Sequence, residues 1–76
     1  MNYTFKENQL DYETYYILRK SVKWNNWSRE QAEIALGNSY YTVTVFDNKV
    51  PIGMGRAVGD GIYFMIMDIV VKPEYQ

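Results

Sequence analysis

Two stretches in the second half of the sequence have the glycine spacing of phosphate-binding loops. Gly53–Gly55 and Gly59–Gly61 both read G-x-G. A glycine-rich loop binds phosphate when it follows a strand and opens a helix, because the helix N-terminus then directs free N–H groups at the anion. Neither stretch precedes a helical pattern, so the sequence argues against a dinucleotide or phosphate loop at these positions.

The 76 residues include no histidine and no cysteine. Their absence excludes a disulfide, a thiolate metal site, a cysteine nucleophile and a histidine base, and we expect no metal centre. A net charge of -1 without a basic stripe argues against a nucleic-acid partner. The longest apolar run, Ile62–Met67, is far shorter than the roughly 20 residues that a membrane span needs. We therefore expect a cytoplasmic protein that does not bind membranes.

The first half of the sequence predicts two helices. Apolar residues at helical spacing predict a helix over residues 11–22, with Asp11 as its N-cap. The stretch Ser28–Gln31 has the residue types of a capping box, which predicts a second helix over residues 29–36. Gly37 follows it and is predicted to end it at the C′ position with a positive φ.

The remaining parts of the sequence are predicted to form strands. A short strand is predicted at Tyr3–Phe5, and β-branched and aromatic residues predict three more, separated by the turns Asp47–Lys49 and Gly59–Gly61. These three strands cover Tyr40–Phe46, Val50–Val58 and Ile62–Val71. The order β-α-α-β-β-β, ending in an antiparallel meander, predicts an α+β (mixed α/β) fold and a single partial domain over residues 1–76. The last predicted strand is apolar on both faces, which favours a central position in a sheet.

One face of the strand Val50–Val58 is formed by small residues, Gly53, Gly55 and Ala57. Glycine weakens a strand unless another group must approach its backbone closely. Tight packing under a helix and direct contact with a ligand both explain such a face, and the sequence favours the helix.

The last ten residues carry the most specific pattern in the sequence. Met67–Gln76 resembles the end of the fourth strand in the GNAT superfamily of N-acetyltransferases. That pattern is an acidic residue, two or three aliphatic residues, a basic or polar residue, Pro, an acidic residue, Tyr, and the Gln or Arg that opens the family's Q/R-x-x-G-x-G/A loop. Val50–Arg56 is similar to the family's third strand with its aliphatic-Gly pair, and Ser21–Trp24 with the following helix resembles the N-terminal helices.

The resemblance implies an acyl-CoA N-acyltransferase-like fold in which acetyl-CoA lies between a fourth and a fifth strand that splay apart. Ile69, Val70 and Val71 would then offer backbone groups to the pantetheine arm, and Gln76 would open the pyrophosphate loop. The resemblance covers the N-terminal half of the family's domain and stops just before that loop. We therefore expect the isolated chain to bind acetyl-CoA weakly or not at all and to be inactive alone.

The family's reaction moves an acetyl group from acetyl-CoA to an amine, which requires a base for the ammonium and a stabilised oxyanion. With no histidine present, Asp68 or an ordered water is the available base, and an apolar setting makes a carboxylate a better proton acceptor. The alternative is that Asp68 pairs structurally with the backbone or with Arg56. In the loop Lys23–Trp27, the resemblance implies that Trp24 and Trp27 border the acceptor site and hold the amine by cation–π contact, the alternative being core packing.

Three hypotheses follow from these patterns. The first is an acetyltransferase acting on a small-molecule or peptide amine, of which this chain is a part. The second is a non-catalytic interaction or assembly module, and the third is one half of a split enzyme. Because nothing follows the strand Ile62–Val71 in this chain, we expect it to be an exposed edge that pairs with a second copy.

Overall fold

The computed structural model describes residues 2–76, which form a four-stranded antiparallel sheet with two helices on one face. The strands lie in the order β1-β2-β3-β4. The elements are β1 (Tyr3–Glu7), α1 (Tyr12–Ser21), α2 (Arg29–Gly37), β2 (Tyr41–Asp47), β3 (Val50–Gly59), β4 (Phe64–Val71) and a 3₁₀ turn (Pro73–Tyr75). This arrangement confirms the predicted α+β fold and its β-α-α-β-β-β order.

Both helices begin where the capping residues predict. The Thr14 backbone N–H donates to Oδ1 of Asp11 over 2.9 Å at the start of α1. At the start of α2, Ser28 and Gln31 form the predicted capping box, each side chain bonding the other's backbone N–H. Neither helix is long and apolar enough to cross a membrane, among the residues that the structure describes.

The predicted role of Gly37 is wrong. Gly37 is the last residue of α2, the cap is Asn38 with φ of -97°, and neither residue adopts a positive φ. Backbone N–H groups of Asn38 and Ser39 bond the carbonyls of Ile34 and Leu36 at the end of the helix. The Ser39 hydroxyl and the Arg56 guanidinium both donate to the carbonyl of Ala35. A left-handed glycine is therefore not needed there.

The core lies between the helices and one face of the sheet. Tyr15 and Leu18 of α1 are 1% and 0% exposed, and Ala32 of α2 is 1% exposed. They pack against Met54 of β3 and Val70 of β4. The apolar spacing of the first helix and the apolar composition of the last two strands are sufficient to explain this packing.

The glycines of β3 lie on the opposite face, which none of the described elements covers, so their prediction as a surface under a helix is wrong for residues 2–76. Side chains of the neighbouring strands lie over them instead. A Cβ added at Gly55 would be 2.9 Å from Cδ1 of Ile69 and 3.5 Å from Cγ1 of Val43. The small residues of β3 therefore give the aliphatic side chains of β2 and β4 room to lean inward.

The hairpin between β3 and β4 begins its second strand later than predicted. Ile62 and Tyr63 belong to the turn, because Oδ1 of Asp60 accepts from both of their backbone N–H groups, over 2.9 and 3.0 Å. These bonds hold the pKa of Asp60 below its ordinary value. Within residues 2–76 the sheet order places β4 at an edge, which corrects the central position predicted from composition and agrees with the predicted edge.

Candidate functional site

Strand β4 carries a bulge at Asp68. Met54 of β3 pairs with Val70, but Arg56 pairs with Met67, so a single β3 residue between them faces two residues of β4. Asp68 has a φ of 56°, in the left-handed region. Asp tolerates this region better than most residues, but it still costs about 1 kcal/mol relative to extended backbone.

The bulge determines which backbone groups of β4 point away from β3. The Lys72 N–H donates to the carbonyl of Ile52 over 2.9 Å. Hydrogen-bonded pairs alternate along an antiparallel ladder, so Val70 is also bonded to β3, whereas Ile69 and Val71 direct their N–H and C=O groups to the free edge. Consistent with this, the Val71 carbonyl accepts from Nε2 of Gln76 over 2.8 Å.

Of the three β4 residues that the sequence assigns to the cofactor, two therefore present their backbone at the edge. Val70 does not, because its backbone is used in the ladder with β3 and its side chain is 2% exposed in the core. Gln76 lies beside this edge and contacts it through its side chain. The structure thus brings Ile69, Val71 and Gln76 together, while cofactor binding by them stays a prediction.

Three donors surround the carboxylate of Asp68, whose side chain is 8% exposed. Nη1 of Arg19 lies 2.6 Å from Oδ1, while Nε of Arg56 lies 2.9 Å from Oδ2. The Tyr15 hydroxyl donates to Oδ2 over 3.0 Å. We call these four residues, Asp68, Tyr15, Arg19 and Arg56, the Asp68 cluster. The apolar setting predicted for Asp68 is wrong, because its contacts come from α1 and β3 rather than from its sequence neighbours.

The Asp68 cluster connects the sheet to both helices. Nη1 of Arg56 donates to the Ser39 hydroxyl over 3.1 Å and to the Ala35 carbonyl, at the C-terminus of α2, where the helix dipole favours a cation. Nη2 of Arg19 donates to the carbonyl of Asn25 in the loop after α1. Burial raises the pKa of the Tyr15 hydroxyl, and its bond to Asp68 raises it further.

This geometry favours the pairing role of Asp68 over the role of base. Both oxygens of its carboxylate are occupied by donors, and Arg19 and Arg56 are buried and depend on it for their counter-charge. The alternative of a structural pair with Arg56 is therefore confirmed and extended to Arg19 and Tyr15. Asp68 as a catalytic residue stays a prediction that the geometry does not favour.

The rings of Trp24 and Trp27 lie over Arg19, with its Cζ atom 5.2 and 5.9 Å from their centroids. Trp24 is 43% exposed and Trp27 is 57% exposed, so the alternative of core packing is wrong. Tyr15 contacts the same guanidinium, at 5.6 Å. The two tryptophans thus form a half-open aromatic surface on a cation, and their contact with an acceptor stays a prediction.

The sequence patterns do not mark Tyr15 or Arg19 as site residues. Their spacing of four places them on the same face of α1, and Leu18 marks that face as buried. A buried arginine needs a counter-charge, and Asp68 is the acidic residue in the apolar last strand. That combination is the signal from which the ion pair could have been predicted.

The uncovered face of the sheet contains an apolar groove of about 190 Å³ over the glycines of β3. Its walls are the aliphatic side chains of Val43, Val45, Ile69 and Val71. No charged side chain lines it, so it offers no polar group that would orient a small ligand. Within residues 2–76 no group of three acidic, histidine or cysteine side chains is placed to bind a metal ion.

Solved structures match the whole of this fold. A protein of unknown function from meticillin-resistant Staphylococcus aureus, described as a probable acetyltransferase, has a TM-score of 0.89 and 38% identity over 99% of this chain and 57% of its own. A GNAT-family acetyltransferase from Streptococcus pneumoniae TIGR4 has a TM-score of 0.83 and 31% identity over 99% of this chain and 56% of its own. No protein-family model and no curated protein matches the sequence. The chain thus spans somewhat more than half the length of these structures.

Proposed function

We propose that this chain, a partial domain of the GNAT family of acetyltransferases, forms part of an enzyme that transfers an acetyl group from acetyl-CoA to an amine. The observation that carries the proposal is the free edge of β4, where Ile69 and Val71 direct backbone groups outward next to the bulge. The pantetheine arm of acetyl-CoA contains amide groups, which pair with such an edge in the manner of an added strand.

The edge has the chemistry that this pairing needs. The carboxamide of Gln76 donates to the Val71 carbonyl over 2.8 Å, which is the bond that a pantetheine amide N–H would form there. Gln76 and the cofactor therefore compete for this carbonyl. Residues 2–76 contain no glycine-rich loop that opens a helix, so we expect the nucleotide half of acetyl-CoA to find no partner among them. Acetyl-CoA, when bound, supplies the thioester from which the acetyl group is transferred.

The acceptor amine belongs, in this proposal, next to Trp24 and Trp27. Their rings lie over Arg19, which contacts Asp68, the residue that precedes Ile69 on β4. The aromatic surface is therefore connected to β4 through Arg19 and Asp68. Its exposed ring faces can hold an ammonium group by the same cation–π contact that they make with Arg19.

Amide NMR signals of the 76-residue chain test the cofactor part of the proposal. Acetyl-pantetheine at millimolar concentration should shift the signals of Ile69 and Val71 while leaving that of Val70 unchanged, because the Val70 N–H faces β3. Adenosine 3′,5′-diphosphate should shift none of them. Whole acetyl-CoA should bind weakly in titration calorimetry at low salt, and a low-micromolar Kd would contradict the expectation that its nucleotide half lacks a partner.

A proline substitution provides the matched control. Val71→Pro removes an outward N–H without removing a ladder bond, so it should abolish the shift at Ile69 while the chain stays folded. Val70→Pro removes an inward N–H and should unfold the strand. Acetyl-pantetheine that shifts signals only on β1 or α2, or none at all, contradicts the proposed use of the β4 edge.

A second candidate is an assembly module, which a different observation favours. The turn and first half of β4 expose five consecutive apolar residues, Ile62–Ile66, each at least 52% exposed. Isolated apolar residues at a surface are ordinary, but a contiguous group next to a free strand edge is typical of an interaction surface. In this reading the chain associates through β4 and need not bind a cofactor.

A further inference from the structure

We propose that Asp68 is a positioning residue, whose side chain holds the bulge in β4 and so selects which residues of that strand face the free edge. The effect of the bulge on acetyl-CoA binding rests on the proposed function. The effect of Asp68 on the bulge is independent of that function, because the bulge is present in the chain without any ligand.

The sequence of β4 permits two registers against β3. With the bulge, Met54 pairs with Val70. Without it, the Arg56–Met67 pairing would continue unbroken, and Met54 would then face Ile69. Hydrogen-bonded pairs alternate, so the bulge-free register would turn the Val70 backbone outward and engage Ile69 and Val71 with β3.

The apolar pattern does not choose between these registers. In most strands a one-residue slip moves polar residues into the core, which sets the register strongly. Here Ile69, Val70 and Val71 are all aliphatic, so either Val70 or its two neighbours can fill the space under the helices. The register must therefore be set by a residue whose side chain has partners on only one face of the sheet.

Asp68 is that residue. The bulge places two successive side chains, Met67 and Asp68, on the helix-facing side, where Nη2 of Arg56 contacts the Met67 sulfur and Nε of Arg56 contacts Asp68. In the bulge-free register Asp68 would point to the opposite face of the sheet. Arg19 and Arg56 would then be buried without their counter-charge, which is a large penalty.

The left-handed backbone at Asp68 supports the same conclusion. A φ of 56° is unfavourable for a residue with a side chain, so the conformation must be held by contacts. The contacts available are the three bonds to Tyr15, Arg19 and Arg56. The carboxylate is thus fixed from α1 and from β3 at once, and the bulge follows from its position.

Amide hydrogen exchange of the 76-residue chain, read by NMR, tests the proposal without acetyl-CoA. In the unmodified chain the Val70 amide should exchange slowly, while those of Ile69 and Val71 exchange fast. Asp68→Gly retains the positive φ at no steric cost but removes the carboxylate. It should speed exchange at Val70 by about tenfold or more, since charge-assisted bonds are lost, and slow it at Ile69.

Two asparagine variants form a matched pair. Asp68→Asn keeps the shape but weakens both ion pairs, so the exchange pattern should change at Val70. Asp47→Asn weakens the bond from the Tyr75 hydroxyl at the end of β2 and should leave that pattern unchanged. If Asp68→Gly folds and keeps slow exchange at Val70 with fast exchange at its neighbours, the side chain does not hold the bulge and the proposal is wrong.

A milder variant keeps the proposal testable if Asp68→Gly fails to fold. Tyr15→Phe removes one of the three donors and leaves both ion pairs. It should speed exchange at Val70 more than at Thr44, a residue of β2 whose backbone pairs with Lys6 of β1. Equal acceleration at both positions would mean a general loss of stability and would overturn the proposal.

Loss of acetyl-pantetheine binding with an unchanged exchange pattern would instead count against the proposed function alone.

Discussion

Nε of Arg56 lies 2.9 Å from Oδ2 of Asp68, at the point where the pairing between β3 and β4 shifts by one residue. The same guanidinium reaches the C-terminal carbonyl of α2 at Ala35. A single arginine therefore links the bulge, the neighbouring strand and a helix end. The arrangement makes the edge geometry of β4 depend on charges that are buried under the helices.

The first prediction compares a buried ion pair with an exposed one. Asp68→Ala should lower the free energy of unfolding by about 3–5 kcal/mol, because it leaves Arg19 and Arg56 buried and unpaired. The 76-residue chain is expected to have about 4–11 kcal/mol at 0.05–0.15 kcal/mol per residue, so this variant should lose a large part of its stability. Urea denaturation measures both quantities.

The control for this prediction is Glu13→Ala. Oε1 of Glu13 lies 3.1 Å from Nη2 of Arg29, but both side chains are 59% exposed. The loss should be much smaller than for Asp68→Ala, as for other exposed pairs. Similar losses for Glu13→Ala and Asp68→Ala would contradict the importance assigned to the buried charges.

Local signals predict the fold of this chain well. The capping residues Asp11 and Ser28 mark both helix starts, and the turn at Asp60 marks the last hairpin. Each of these acts within three residues along the chain, so neighbouring sequence contains the whole interaction. The contact of Arg56 with the end of α2 was not predictable in this way, because Arg56 reaches the Ala35 carbonyl from a distant strand.

The site was less predictable than the fold for the same physical reason. Asp68 has apolar sequence neighbours, but its partners Tyr15 and Arg19 lie 53 and 49 residues earlier. The bulge also reverses the faces of the residues that follow it, so period-two counting from Phe64 assigns Val70 to the wrong face. The pattern of apolar residues along β4 does not determine the register in which the strand pairs with β3.

The second prediction uses the glycines as a set of steric tests. A Cβ at Gly59 would lie 2.1 Å from the backbone oxygen of Tyr63, which cannot move without opening the hairpin, so Gly59→Ala should be strongly destabilising. A Cβ at Gly55 meets the flexible end of Ile69 at 2.9 Å, so Gly55→Ala should cost much less. Gly37→Ala meets nothing within 4 Å in a helix and should stabilise by about 0.5–1 kcal/mol. Thermal unfolding should rank the three variants in this order, and any other ranking contradicts the packing described.

The third prediction concerns pH. Burial raises the pKa of Tyr15 above its ordinary value of 10.0, so the folded state holds the phenol proton more tightly than the unfolded state. Stability from this group is therefore complete below about pH 10 and is lost as the pH rises through the folded pKa. Tyr15→Phe should lose about 1–3 kcal/mol at neutral pH and should show a shallower decline at alkaline pH than the unmodified chain. Parallel declines in urea denaturation between about pH 9 and 11 would show that Tyr15 does not contribute.

The fourth prediction separates the surface role of Trp24 from a core role. Trp24→Ala removes one ring from Arg19 and should lower the free energy of unfolding by only about 1 kcal/mol, typical of a partly exposed cation–π contact. Leu18→Ala, at a position with 0% exposure, should lose about 2–5 kcal/mol. In a protein that contains the complete domain, Trp24→Ala should also raise the apparent KM for the amine. A stability loss equal to that of Leu18→Ala would indicate that Trp24 is mainly a packing residue.

The last prediction concerns association of the chain through β4. In residues 2–76 this strand is an edge, and the stretch Ile62–Ile66 exposes apolar side chains on both of its faces. A second copy can pair antiparallel with the stretch Ile62–Ile66, since such a contact is self-complementary about a two-fold axis, and this pairing leaves Ile69 and Val71 free. We therefore expect sedimentation equilibrium at micromolar concentration to give twice the 9.0 kDa mass of one chain. Ile66→Lys places a charge on the edge and should restore the monomer, whereas Ile34→Lys, at an exposed position on α2, should leave the dimer intact. An unmodified chain that sediments as a monomer and unfolds cooperatively would show that the β4 edge does not drive assembly.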